Sequence, residues 1–324
     1  MLTGLFVDGW AHRTNKPETF FTPWHGILYS GFAATAVWLL VVIRRGQRPG
    51  ESVRSAIPVG YGLRVIGVGL FGFGALFDFA WHEIVGIEVD LEALMSPSHL
   101  TLLAGGLCMA CGPLISTLAR HRTNQASTWG DAGGAIASVV FMVSVLQFFL
   151  MYVSPYNRGT YPTDSIEAAR RIGGEWLQES VTIEGISAIL LFTLTTVLGL
   201  RALISRLQMP RGAFALLFVL PAFLQTVLTS FDTAYRLAGP IAAAVLAEAT
   251  WGLVRHRSWT VLGAWVASLQ LVQWFAFFGS IGARDGIGWS THLWAGLPVF
   301  AAIVTMLLWM ATAPTAGSGS ASHP

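Results

Sequence analysis

The sequence has little charge. Only 11% of its 324 residues are Asp, Glu, Lys or Arg, and Lys16 is the single lysine. A large water-exposed domain is thereby excluded. The 54% hydrophobic content and mean hydropathy of +0.60 place the chain among polytopic membrane proteins. Cysteine is scarce too: Cys108 and Cys111 both lie inside an apolar run, which excludes a disulfide framework. A net charge of +2 offers no field for a nucleic-acid partner. Nucleotide-binding Gly-x4-Gly-Lys, Gly-x-Ser-x-Gly and His-Glu-x-x-His motifs are all missing; His82-Glu83 starts the last, but Gly86 stands where its second His belongs.

What is present is a series of apolar runs of spanning length, predicting an all-α membrane bundle in the plasma membrane. Nine spans are expected, over about 25–43, 62–83, 99–119, 133–153, 182–200, 212–236, 240–254, 259–281 and 292–312. The sixth and seventh are the pair whose reassignment would leave eight. Pro221 should kink the sixth, and Gly239-Pro240 should make the turn between the two. Residues 1–24 form an N-terminal segment whose first 14 residues place Leu2, Leu5, Phe6 and Trp10 at helical spacing, as in a helix lying in the membrane interface. The first long run exceeds a signal-peptide core and its stronger positive charge follows it, which predicts a retained helix. Residues 154–181 read as the longest polar loop. Residues 1–313 are expected to make one membrane domain, and 314–324 a disordered tail. Arginines mark alternate loops: twelve of the nineteen basic residues fall on the side of Arg45, Arg122, Arg206 and Arg257. Fourteen of the seventeen acids fall on or near the opposite side. That bias puts the N-terminus outside and the C-terminus inside.

The chemistry-bearing residues gather on the acidic side. Asp78-Phe79-Ala80-Trp81-His82 closes the second span, and Ser96-Pro97-Ser98-His99 opens the third. A four-residue spacing puts Asp78 and His82 on one helix face, about 6 Å apart along the axis. His99 can fold back to meet them. Two imidazoles and a carboxylate at a helix mouth are the composition of a transition-metal site. The pattern occurs earlier as Asp8-Gly9-Trp10-Ala11-His12 followed by Thr22-Pro23-Trp24-His25. Both copies share hydroxyl-Pro-x-His, and a glycine follows each His six residues on, at Gly31 and Gly105. One device used twice is the reading. Hydroxyl-Pro is also ordinary helix-start grammar, and hydrogen-bonded His–Asp pairs in a structural membrane protein are the plainer alternative.

Other groups are weaker. Glu184 and His292 open helices on the same side and read as interfacial residues. Asp232 and Arg236 are four apart, which suggests an ion pair. Glu248 lies within a span and needs a partner. Cys108 and Cys111 share a helix face and could offer copper a soft site, the basis of a transporter or chaperone alternative; packing is the plainer reading.

At Asp78, Trp81, His82, Pro97, Ser98 and His99 the chain resembles the C subunit of the copper membrane monooxygenases, the particulate methane and ammonia enzymes, with Ser96 in place of Thr. The resemblance covers about 25 residues. It implies a metal-ligand role for Asp78, His82 and His99, with copper as the metal and zinc the alternative. It also implies O2-dependent oxidation of a small apolar substrate. Two departures stand out. Sixteen residues separate His82 from His99 where the family has twelve; His12 and His25 have the twelve, but with Trp10 one position early. The family's soluble cupredoxin-like region is missing, so cupredoxin or monooxygenase partner subunits, or a homo-oligomer, are the expected company besides the lipid bilayer.

Overall fold

The computed structural model describes residues 1–14, 16, 21–86, 90–120 and 128–313. The C-terminal tail, Arg122, Pro17, Glu18 and Glu88 lie outside the described residues. Among the described residues the fold is helical with no strand; Pro162 and Ile287 form one isolated bridge. Eight helices are long and apolar enough to cross a membrane. They include α2 (Pro23–Gly46), α3 (Gly62–Val85), α5 (Pro97–Arg120), α6 (Trp129–Phe149) and α7 (Thr163–Ile204). The set is completed by α9 (Ala238–Val254, extended by a 3-10 turn from Ala234), α10 (Trp259–Arg284) and α11 (Thr291–Ala311). α1 (Leu2–Arg13), α4 (Asp90–Met95) and α8 (Ala213–Val227) are shorter.

The expected sixth span is α8, and it is cut short. Its 15 residues rise about 22 Å, less than the roughly 30 Å of a hydrocarbon core. It still runs between the two ends of the bundle. Its first amide, on Phe214, donates to Glu248 near the end of α9 (3.0 Å), and beyond its other end Ser230 accepts from Trp10 of α1 (3.0 Å). Glu248 thus has its partner. The chain turns at Ser230 and Phe231, both with positive φ (52° and 69°), and not at Gly239-Pro240, which lie inside α9. Because 228–237 is not α-helical, the four-residue spacing of Asp232 and Arg236 makes no ion pair. Arg236 is buried and donates instead to the carbonyls of Pro155 and Arg158 (3.0 and 2.6 Å). The expected polar loop is also largely helix: α7 begins at Thr163 and bends at Gly174, whose φ of 66° no side-chain-bearing residue adopts cheaply.

Two packing units follow from burial. α6 to α11 surround the main core, where Phe214, Trp265, Leu269 and Trp309 are buried, and 61% of the spanning window of α10 is buried. α2, α3 and α5 flank them, and only 17% of the α2 window is buried, as expected of a lipid-facing helix. α1 wedges between the units. The sequence reads as a helix resting in the interface, yet Phe6 is 1% exposed and sits edge-on to Phe148 of α6 at 5.0 Å. Its apolar face meets protein, beside Leu94 of α4, Leu224 and Leu228.

Alternation of the helices puts Arg44, Arg120, Arg201, Arg206 and Arg257 at the end opposite the Asp/His residues. In a Cys108→Ser/Cys111→Ser background, Glu92→Cys should react with a membrane-impermeant maleimide on intact cells, and Arg48→Cys should not. The reverse pattern would invert the orientation and put the Asp/His end in the cytoplasm.

Candidate metal centres

Both Asp/His sets assemble. In each, the three candidate ligand atoms lie within 4.8 Å of one another. The hydroxyl-Pro-x-His segment does two jobs. Thr22 and Ser96 cap their helices: Thr22 Oγ1 accepts from the His25 amide (3.4 Å), and Ser96 Oγ accepts from the His99 amide (3.3 Å). Pro23 and Pro97 occupy the first helical position. The cap therefore fixes the third residue of the helix, the histidine, against the neighbouring pair.

Helix crossing does the rest, with the same contacts in both copies. A Cβ on Gly4, four before Asp8, would lie 2.4 Å from the Leu28 amide, three after His25. Gly74, four before Asp78, meets Leu102, three after His99 (nearest atom 3.1 Å). The glycine six after each His repeats the pattern: Gly31 abuts Met1, and Gly105 abuts Phe71 at 2.6 Å, each partner seven before its Asp. These close approaches bring the Asp-x3-His face of one helix onto the first turn of the next.

At the second set Asp78 is 1% exposed. Its Oδ1 stands 3.6 Å from His82 Nε2 and 3.5 Å from His99 Nε2, and accepts from Ser98 Oγ at 2.8 Å. Both imidazoles are also held from behind. Ser96 Oγ meets His99 Nδ1 at 2.7 Å and Ser98 Oγ at 3.1 Å. His82 Nδ1 faces the Gly86 carbonyl at 3.4 Å, and a carbonyl only accepts, so this nitrogen carries a proton. Each Nε2 can then carry a proton and donate to Asp78, or give it up and join the carboxylate in holding a metal ion. Outer partners on Nδ1 are also what orient metal-binding histidines.

The first set is similar and looser. Asp8 Oδ2 is 3.6 Å from His12 Nε2, and Oδ1 is 3.2 Å from His25 Nε2. Asp8 Oδ1 is buried, and His25 is the group that faces it. Burial alone would raise the Asp8 carboxyl; contacts with His12 and His25 outweigh it and hold it at about 2. The Asp8 carboxylate is therefore ionised and faces both imidazoles.

The two sets border one cavity of about 640 Å³, lined by Asp8, His12, His25, Asp78 and His99. The other candidates stay outside it. Glu184 pairs with Arg158 at 3.0 Å, and His292 is exposed at the start of α11. Cys108 and Cys111 are free thiols on α5, away from the cavity lining, which takes His99, Leu102, Leu103 and Gly106 from that helix. Sequence reasoning missed Arg13, Lys16, Arg158 and Tyr29, which also line the cavity. The signal for Tyr29 was its place one turn after His25; the three cations carry no motif. The chain matches no protein-family model, and no curated protein or solved structure is detectably similar to it.

Proposed function

We propose that this membrane protein binds transition-metal ions, copper foremost, at Asp78/His82/His99 and at Asp8/His12/His25. The observation that carries the reading is the convergence, in each set, of one carboxylate oxygen and two imidazole nitrogens within 4.8 Å of one another, with the outer nitrogens of His82 and His99 held by Gly86 and Ser96. The resemblance to the copper monooxygenase C subunit supports copper over zinc and suggests oxidation of an apolar substrate with O2 in the shared cavity. The chain's own residues would hold the metal, exclude bulk water and supply the apolar floor of the cavity: Phe71, Leu102, Phe141 and Phe148. The electron source and a cupredoxin-like region would come from partner subunits in the same membrane.

The test is the metal content of protein purified from copper-replete cells. Copper close to one or two ions per chain supports the reading. Zinc alone would leave the sites and remove the oxygenase chemistry; no bound metal would overturn both. Ser98→Ala probes the outer partners. It removes the hydrogen bond that orients the Asp78 carboxylate, so metal affinity at this centre should fall about 10- to 100-fold, the usual cost of losing an outer-shell partner. Competition with a chromogenic copper chelator measures it, and unchanged affinity would show that the serine chain plays no part.

A further inference from the structure

The cavity that joins the two clusters has a second character. Its floor is apolar, with Phe71, Leu102, Leu103, Phe141, Val145 and Phe148. Its mouth is cationic: Arg13, Lys16 and Arg158 line it, and all three keep contact with solvent. Glu184 neutralises Arg158. Arg13 has no carboxylate partner among the described residues. Its guanidinium donates to the side chain and the carbonyl of Asn157, the neighbour of Arg158, with two contacts of 3.5 Å. Arg13 is thus the guanidinium left without a carboxylate at the lip of an apolar pocket, and a guanidinium suits a carboxylate. The volume falls within the roughly 300–1,000 Å³ range of small-ligand sites. Tyr29 lines this cavity and also an apolar groove of about 360 Å³ between α2 and α3, walled by Phe32, Gly72, Ala75, Leu76 and Phe79. Leu76 in that groove is 72% exposed on the lipid side, which gives a chain from the bilayer a way in.

We propose that the cavity takes a single-chain anionic amphiphile, a long-chain carboxylate, with its headgroup between Arg13 and Arg158 and its tail over Phe71, Leu102 and Phe148. The assignment rests on the lining alone and goes beyond metal binding, since it holds whether or not the clusters are loaded.

Palmitate and hexadecanol share a chain and differ in the head, so they test it directly on the full-length protein in detergent, by displacement of a fluorescent fatty acid. Wild type should bind palmitate about tenfold or more tightly than hexadecanol, the difference expected of a hydrogen-bonded charge pair. Arg13→Gln should abolish that preference and Arg13→Lys should keep part of it. Gly106→Leu plugs the tail slot without a clash, since a Cβ there meets nothing within 4 Å; both ligands should then be lost together. Equal affinity for the two ligands in wild type would overturn the proposal, as would unchanged palmitate binding in Arg13→Gln. Tighter binding of phosphatidylglycerol than of palmitate would replace the single-chain ligand with a membrane phospholipid and overturn it too. Metal content measured on the same Arg13→Gln sample should equal wild type, so failure here is distinct from failure of the metal reading.

Discussion

Purified His82→Ala/His99→Ala protein is expected to carry one metal ion fewer than wild type while keeping its fold and its Asp8 set. Each of these imidazoles supplies one of three converging ligand atoms, and removing both leaves Asp78 alone. Losing an outer-shell partner costs about 10- to 100-fold in affinity, so losing two direct ligands should reduce occupancy below detection. The fold should survive because His82 and His99 are part-exposed, at 14% and 23%, and the α3–α5 contact rests on Gly67, Gly74 and Gly105. Asp78→Ala is the more damaging change. It removes the 2.8 Å hydrogen bond of the buried Ser98 hydroxyl to a carboxylate, and a hydrogen bond to a charged group contributes about 1.5–3 kcal/mol. The companion variant His12→Ala/His25→Ala should remove a second ion independently. Metal analysis of the two double variants and of their combination decides the matter. Equal metal in wild type and His82→Ala/His99→Ala would eliminate the Asp78 centre. Loss of both ions from either double variant would mean a single shared centre in the cavity.

How much of this is written in the chain differs between the parts. The spans were legible because apolar runs of about 20 residues have few other uses. The Asp78 and Asp8 sets were legible because an i, i+4 Asp–His pair and a capped Pro-x-His segment each have one geometry. The end of α8 was not. Residues 212–236 are nearly continuous in hydropathy, and only the positive φ values at Ser230 and Phe231, on residues that do not advertise them, break the helix. The helical part of 163–181 was hidden by its polarity; most of its side chains face solvent, so no apolar stripe marks it. Arg236 misled through its spacing to Asp232, which would pair only on a helix that is not there. The cationic mouth was beyond reach for a different reason. Arg13 and Arg158 lie far apart in sequence, and only the docking of α1 against the loop after α6 joins them.

Helix crossing gives the second large expected effect, on positions that touch no ligand. Gly105→Ala should destabilise the protein and weaken metal binding at Asp78, although alanine is worth up to about 1 kcal/mol more than glycine within a helix. The added methyl would stand 2.6 Å from the Phe71 amide and 2.8 Å from its Cα, and backbone cannot swing aside. α3 and α5 must part, at an overpacking cost of about 1–3 kcal/mol or more. His99 then moves away from Asp78. Gly4→Ala repeats the experiment in the first copy, where the methyl would sit 2.4 Å from the Leu28 amide and lever Asp8 from His25. Gly69→Ala is the control. It lies on α3 between the two crossing glycines, faces outward, and a Cβ there meets nothing within 4 Å. It should raise stability slightly and leave metal binding unchanged. Thermal unfolding in detergent and metal analysis of the three variants separate the outcomes. If Gly105→Ala behaves like Gly69→Ala, the close crossing is not what holds His99 against Asp78. If each crossing variant loses only its own ion, the repeated Gly-x3-Asp-x3-His helix and its Pro-x-His partner act as two independent copies of one binding unit.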